Sequence, residues 1–177
     1  LGITLGELGK VEQAEESYRQ AIAFKPDYYE AYCNLGIILS QLGKFEEADA
    51  SYKKAISLKS DFVGAYFNLA NMMRELGRTD EAEVYYLQAV NLNPDHAEAH
   101  YNLGVTQKGL GKFDYAKASY TRAIALKPDY QAPRHMLAAL TGDTTATAPR
   151  DYVEGLFDTY AANFEESLVG NLGYKTP

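Results

Sequence analysis

Few residue combinations in this 177-residue sequence could support metal binding or nucleophilic chemistry. His96 and His100 lie one helical turn apart, so a helix would present both imidazoles on one face as two metal ligands. No third ligand is evident beside them, and we therefore predict no metal site. Cys33 is the single cysteine, with no histidine or aspartate arranged around it by sequence, so we expect a buried, unreactive thiol.

Acid–base catalysis and cofactor binding are equally unsupported. Adjacent glutamates occur at Glu15-Glu16, Glu46-Glu47 and Glu165-Glu166. Catalytic carboxylates need a shared, enclosed cleft, and we expect these pairs to lie on solvated faces instead. The glycines recur at regular intervals and form neither a GxGxxG motif nor a phosphate-binding loop. The sequence therefore predicts no cofactor and no enzyme activity for this stretch of chain.

Three asparagines offer a different chemistry, which is recognition. Asn34, Asn68 and Asn102 recur at one constant interval along the chain. A carboxamide has two N–H donors and two acceptor sites, so it can bond a peptide unit in both directions. The same amides could instead be solvated or bond within the protein. The sequence leaves both possibilities open.

The asparagines belong to a repeated unit. The stretches AYCNLGIILSQLGKFEEADASYKKAISL, AYFNLANMMRELGRTDEAEVYYLQAVNL and AHYNLGVTQKGLGKFDYAKASYTRAIAL begin at Ala31, Ala65 and Ala99, which gives a 34-residue period. One such unit cannot bury its own apolar face, whereas stacked units bury it against each other. The period therefore predicts a solenoid of repeats.

The spacing within a unit predicts two helices. Leu35 and Leu42 lie on one helical face, and Gly43-Lys44 then ends that helix. The stripe Ala48, Tyr52, Ala55 and Ile56 follows, with the spacing of a second amphipathic helix. Each unit thus reads as helix A, a tight turn and helix B, and the predicted fold class is all-α.

Small residues recur where the two helices should cross. A glycine or alanine recurs in helix A at 34-residue intervals, and alanines recur in helix B together with a series of tyrosines. Small side chains allow two helix axes to approach closely. The helix A series is Gly2, Gly36, Ala70, Gly104 and Ala138, and the tyrosine series is Tyr18, Tyr52, Tyr86 and Tyr120.

This pattern closely resembles the tetratricopeptide repeat (TPR) family. The Leu-Gly pair of helix A, the Leu-Gly turn, the Ala, Tyr, Ala series of helix B and the terminal Pro of a unit all match that family. The resemblance implies an α-α superhelix of antiparallel helix pairs with the A helices lining a concave groove. The repeats are similar to those of O-GlcNAc transferase, in which asparagines at this site hold an extended peptide by its backbone.

By the same resemblance, several other side chains should line the groove around the three asparagines. Phe67 and Tyr101 are the predicted aromatic anchors, since aromatics dominate interface energetics, although both could instead half-cover neighbouring helices. The remaining predicted members are Glu30, Asn71, Arg74, Glu75 and Lys108. One TPR subclass binds chaperone C-termini through a clamp of basic residues. The corresponding basic positions are missing here, and we predict no such binding.

The repeats divide the chain. Residues 1–140 form the predicted TPR array, with a partial repeat at 1–28, full repeats at 29–62, 63–96 and 97–130, and a capping helix at 131–140. A polar linker follows at 141–149 and an amphipathic helix and tail at 150–177. Because the chain starts at Leu1 and the last motif is cut off, we expect a fragment of a longer protein.

The tail carries a second resemblance, since residues 135–177 look like the junction that joins TPR repeats to an S-adenosylmethionine-dependent methyltransferase. The sequence thus leaves three roles open. The leading one is a scaffold that binds a protein or peptide in the groove. The alternatives are a substrate-targeting arm of a methyltransferase and a self-assembling module that stacks end to end or inserts the Phe157 helix into a neighbour's groove.

Charge narrows the class of partner. Seventeen basic residues against twenty-four acidic ones give a net charge of −7. Nucleic acids and anionic membranes both attract basic surfaces, so we expect neither as a partner. A single cysteine favours a reducing compartment and hence a cytoplasmic location.

Overall fold

The computed structural model describes residues 11–142, and these form eight helices and no strand. In chain order the helices are α1 (Val11–Phe24), α2 (Tyr29–Gln41), α3 (Phe45–Leu58), α4 (Val63–Glu75), α5 (Thr79–Leu92), α6 (Ala97–Gly109), α7 (Phe113–Leu126) and α8 (Gln131–Thr141). The even-numbered helices are A helices and the odd-numbered ones are B helices. The all-α prediction is confirmed.

The helices pack as nested hairpins in chain order. Each helix contacts the one that follows it, and α2 also contacts α4 while α4 contacts α6. No two successive B helices approach each other as closely within residues 11–142. The A helices therefore line the inner, more closely packed side of the stack, as the family resemblance implied. The predicted linker and C-terminal helix at 141–177 lie almost entirely outside the described residues.

A left-handed glycine follows each of the A helices α2, α4 and α6. Gly43, Gly77 and Gly111 have φ of +71°, +71° and +73°, a region that side chains with a Cβ rarely adopt. In the first of these turns the Lys44 N–H donates to the Leu39 carbonyl at 2.8 Å, and the Gly43 N–H donates to the Ser40 carbonyl at 3.0 Å. These two bonds close the helix end and return the chain into helix B.

The core of each unit is a tyrosine ring laid against a small residue. A Cβ atom added to Gly36 would lie 2.7 Å from the Tyr52 ring, and one added to Gly104 would lie 2.6 Å from the Tyr120 ring. Both distances are below normal van der Waals contact. Tyr52, Tyr86 and Tyr120 are at most 2% exposed. The contact thus sets how closely helix A approaches helix B.

Ion pairs cross the junctions between repeats on the B-helix side. Lys44 bonds the Glu15 carboxylate at 2.8 Å, and Lys112 bonds Glu83 in the same register two repeats later. The hydrogen bond from Lys44 is the main cause that lowers the pKa of Glu15. Glu15, which we expect on a solvated face, lies at the surface beneath this basic partner, and its side chain is 13% exposed.

The junction between the second and third repeats, which lies between the two ion-paired junctions, lacks this ion pair. Asp49 and Arg78 occupy the corresponding positions, but Arg78 bonds Glu81 at 2.6 Å instead. Asp49 bonds Lys53 through Oδ2 at 2.7 Å, and its Oδ1 is buried without a hydrogen-bond partner. Aspartate is one methylene shorter than the glutamate of the other junctions. A cleft of about 380 Å³ lined by Phe45, Glu46, Asp49, Leu76 and Arg78 lies at this place.

We predict that Asp49→Glu stabilises the protein by about 0.2–1 kcal/mol, the usual range for an exposed ion pair. The longer side chain can use the cleft to reach Arg78 as Glu15 reaches Lys44. Urea unfolding at low salt measures the change, and Asp49→Asn, which cannot form an ion pair, is the matched control. Equal stability of the Glu and Asn variants would contradict this explanation.

Candidate functional site

The inner face of the A helices contains a cleft between α2 and α4. Its volume is about 200 Å³, and Tyr52 from α3 contributes to its lining. Three residues predicted for the groove, Asn68, Asn71 and Glu75, lie along one wall. The full lining is Ile37, Ser40, Gln41, Tyr52, Asn68, Asn71, Met72 and Glu75. The lining of the cleft therefore combines apolar side chains with amides and a carboxylate.

The asparagines of the groove are fixed by bonds within the scaffold. The side-chain oxygen of Asn71 accepts from the Asn102 amide at 3.0 Å and from the Tyr86 hydroxyl at 2.5 Å. The Asn68 amide donates to the Cys33 sulfur at 3.7 Å. These three asparagines are half-buried, as is Asn34. A carboxamide has two donors and two acceptor sites, so the Asn71 oxygen is fully used and its N–H groups remain, whereas Asn102 uses one donor and Asn68 uses one donor in these bonds.

Arg74 lies beside this network on α4. It and Asn102 both interact with the Tyr86 hydroxyl, and burial is the main cause that raises the pKa of Tyr86. The Arg74 Nε is buried without a hydrogen-bond partner. Lys108 occupies the corresponding position of α6, and its Nζ lies 3.9 Å from the Met136 sulfur on α8. The structure thus places two predicted site residues on successive A helices.

The two predicted aromatic anchors pack against the scaffold. Phe67 stacks on His96 with ring centroids 4.9 Å apart, and the ring centroid of Tyr101 lies 5.2 Å from that of Tyr130. His96 and Tyr130 are the residues that precede α6 and α8. Phe67 and Tyr101 are half-buried, and each covers part of the following repeat. Their role as aromatic anchors for a partner stays a prediction.

Glu30 is separated from the other predicted site residues. It lies in the first turn of α2, where a hydrogen bond from the Tyr29 hydroxyl is the main cause that lowers its pKa. Lys59 donates to that hydroxyl at 3.2 Å. Glu75, in contrast, ends α4 and is exposed at the edge of the α2–α4 cleft. The two acids therefore lie at opposite ends of their helices.

His96, His100 and Cys33 contact the scaffold. The His96 Nδ1 accepts from the Ala99 N–H at 3.3 Å and caps α6, and the His100 Nε2 lies 3.0 Å from the Pro94 carbonyl oxygen. Within residues 11–142 no group of three or more His, Cys, Asp or Glu could hold a metal ion. Cys33 is 3% exposed, and burial raises the pKa of its thiol.

Sequence reasoning missed the contribution of Tyr86. The repeat period marked its ring as a packing residue, and the ring is indeed fully buried. Its hydroxyl nevertheless reaches the groove wall and bonds Asn71. The signal lay in comparing repeats, since Asn71 stands where the second repeat has Ile37 and the fourth has Val105.

We predict a pH effect from His100, because burial is the main cause that lowers its pKa. Below about pH 6.5, the ordinary histidine pKa, the unfolded chain takes up a proton that the folded chain resists, so stability falls as pH falls. His100→Tyr, which copies Tyr32 and Tyr66 of the other repeats, should lose less stability than the parent when the pH is lowered through this range in urea unfolding. Parallel pH profiles for the two proteins would contradict the prediction.

Family comparisons agree with this geometry. A TPR repeat model matches residues 4–43 and 70–111, a tetratricopeptide repeat model matches 29–62 and 97–130, and another tetratricopeptide repeat model matches 51–84. Together these matches span residues 4–130 without a gap. The chain belongs to the tetratricopeptide repeat family. Among curated protein sequences, none matches this TPR chain.

Solved structures share the TPR fold. MamA superposes with a TM-score of 0.73 at 23% identity, covering 95% of this chain and 92% of that one. PilF of Pseudomonas aeruginosa gives a TM-score of 0.73 at 25% identity and covers 79% of this chain and 64% of that one. The first TPR domain of Spaghetti (RPAP3) was solved bound to the HSP90 peptide SRMEEVD. It superposes with a TM-score of 0.61 at 24% identity, covering 64% of this chain and 90% of that one.

The described part of the TPR array has no helix that is both long and apolar enough to span a membrane.

Proposed function

We propose that this TPR array is a protein-interaction scaffold that holds an extended segment of a partner in the groove of its A helices. The observation that carries the proposal is the line of amides along that groove, with Asn68 and Asn71 in the α2–α4 cleft and Asn102 bonded to Asn71 from α6. Membership of the TPR family supports the scaffold role. A structural neighbour that is bound to a peptide supports the extended ligand.

The chemistry suits a peptide backbone. An extended segment carries an N–H and a carbonyl at nearly every residue, and a carboxamide can bond both. Because Asn71 and Asn102 are held by each other and by Tyr86, they lose little side-chain entropy when a ligand binds. Each hydrogen bond would contribute about 0.5–1.5 kcal/mol net, so the amides orient the bound segment and add little to its binding free energy. The exposed parts of Phe67 and Tyr101 supply apolar contact for the partner's side chains.

We predict that Asn68→Ala with Asn102→Ala weakens partner binding about tenfold, since two hydrogen bonds of this size are lost. The partner is first captured from the native host and its binding segment is then measured by calorimetry. Asn91→Ala, an exposed asparagine on α5, is the control and should bind like the parent. Circular dichroism checks that the double variant stays folded. Unchanged affinity in a folded double variant would show that the amides do not hold the ligand.

Two other roles stay predictions. Self-assembly is favoured by the last described helix, because within residues 11–142 one side of α8 forms an open cleft of about 460 Å³ with α7. Residues Ile124, Leu137 and Ala138 contribute its apolar lining.

The role as a targeting arm of a methyltransferase domain rests on the resemblance of residues 135–177, which lie mostly outside the described part of the chain. The likeness of the repeats to O-GlcNAc transferase also stays a prediction.

A further inference from the structure

The α2–α4 cleft differs from the next junction in the residue that meets the tyrosine hydroxyl. Arg74 of α4 is half-buried and interacts with the Tyr86 hydroxyl of the same hairpin. The corresponding residue one repeat earlier is Ser40, which interacts with the Tyr52 hydroxyl of its own hairpin. A serine side chain is far shorter than an arginine side chain. The α2–α4 cleft, which Ser40 and Tyr52 both line, is therefore open where the following repeat places its own guanidinium.

The cleft has the size and lining of a pocket for one side chain. Its volume of about 200 Å³ is below the roughly 300–1,000 Å³ of small-molecule sites. Ile37 and Met72 supply apolar surface, and Gln41, Asn68 and Glu75 supply oxygen acceptors. The Asn68 amide nitrogen already donates to the Cys33 sulfur, so its oxygen is left as an acceptor. A long side chain with donors at its end matches this lining, because its stem can pack on apolar surface while its end stays among the oxygens.

Glu75 gives the cleft a negative charge that the described scaffold does not neutralise. It is the charged member of the cleft lining, and it forms no salt bridge with any residue in the range 11–142. Burial is the main cause that raises the pKa of Tyr52, and the charge of Glu75 raises that pKa further. The negative charge therefore acts on a tyrosine that lines the cleft.

Arg74 is the neighbour of Glu75 in sequence, but it acts at a different tyrosine. Burial is the main cause that raises the pKa of Tyr86, and there Arg74 opposes the effect of Glu75. Asn102 of α6 interacts with the same hydroxyl, so this balance of charges belongs to the α4–α6 junction. The causes that shift the pKa of Tyr52 include Glu75 and no basic residue. The α2–α4 cleft is therefore acidic, whereas the charges at the next junction offset each other.

Helix polarity adds to the negative potential of the cleft. Ser40 and Gln41 are the last two residues of α2, and Glu75 is the last residue of α4. The carbonyl groups at the C-terminal end of a helix carry partial negative charge, so cations are favoured there. The last turn of α2 contains no basic residue of its own. The cleft thus offers a cation two helix ends and a carboxylate.

We propose that the α2–α4 cleft binds a basic side chain of the partner segment, arginine in preference to lysine. This inference rests on the proposed function and names the side chain that the groove selects. The arginine stem packs against Ile37 and Met72, and the guanidinium donates to both oxygens of the Glu75 carboxylate. The guanidinium then meets Tyr52 as Arg74 meets Tyr86. Lysine carries the same charge but cannot form the paired bonds.

Selection from a random peptide library displayed on phage tests the proposal on the full 177-residue chain. We expect the selected peptides to share an arginine or lysine at one position. This preference should disappear with Glu75→Gln, which removes the charge and keeps the shape. Glu46→Gln is the matched control, because it removes the same charge from an exposed residue of α3 outside the groove, and it should keep the preference. Loss of the preference in both variants would mean that net charge, and not the cleft, attracts the bases.

A selected peptide is then synthesised with an acetylated N-terminus and an amidated C-terminus, so that only its side chains are charged. We expect the arginine form to bind most tightly, the lysine form more weakly, and the glutamine form about tenfold more weakly than arginine. Glu75→Gln should weaken binding of the arginine form by a similar factor and leave the glutamine form unchanged. Equal affinity of the parent protein for the arginine and glutamine forms would overturn the proposal.

A second test needs no partner, because Ser40→Arg places a guanidinium in the cleft from the protein itself. Ser40→Gln, which is long but uncharged, is its control. We expect Ser40→Arg to unfold at a higher urea concentration than Ser40→Gln, and this advantage to vanish when Glu75→Gln is added to both. The same difference with and without Glu75 would show that the cleft does not favour a guanidinium.

The asparagine variant separates this inference from the proposed function. Peptides that lose affinity with Asn68→Ala/Asn102→Ala but show no preference for a basic residue would refute the cleft proposal and leave the groove as the binding site. Peptides that need Glu75 but are indifferent to the asparagines would support the cleft and refute the role of the amides. A library that yields no binder would count against both.

Discussion

The structure depends on one close contact in each hairpin. A tyrosine ring of helix B packs against a small residue of helix A, which lets the two helices approach closely. Gly36 and Gly104 leave no room for a Cβ atom against Tyr52 and Tyr120. The contact sets the distance between the two helices in these two hairpins, and the repeat between them keeps a small residue, Ala70, at the same position and a fully buried Tyr86, so the hairpins are alike. Alike hairpins can nest in order, and each then buries the apolar face that it cannot bury alone.

The groove follows from the same contact. Asn34, Asn68 and Asn102 each precede a buried leucine of their A helix and are half-buried, so they flank the packed face of the helix. The stack therefore carries its amides in line without any loop to position them. Variation enters at the positions next to the amides, where Arg74 and Lys108 add charge and Phe67 and Tyr101 add apolar surface. A rigid frame with variable lining suits recognition of a partner segment.

Features that repeat could be predicted from the sequence. The helix pairs, the glycine turns and the buried tyrosines all follow from the regular period, because each copy supports the same interpretation. Features that differ between copies could not. The shared bonds of Asn71 depend on one asparagine that its neighbouring repeats lack, and the missing ion pair of Asp49 depends on one methylene. Side-chain reach across a junction is set by the packed distance between repeats, which a periodic pattern does not reveal.

The most direct test of the central contact compares two glycines of the same helix by urea unfolding. An added Cβ at Gly104 would lie 2.6 Å from the Tyr120 ring, whereas one at Gly109 would meet nothing within 4 Å. Both changes to alanine gain helix propensity, so their difference isolates the contact. We predict that Gly104→Ala is less stable than Gly109→Ala by about 1–3 kcal/mol, the usual cost of overpacking. Equal stability of the two variants would show that the tyrosine contact does not set the distance between the helices.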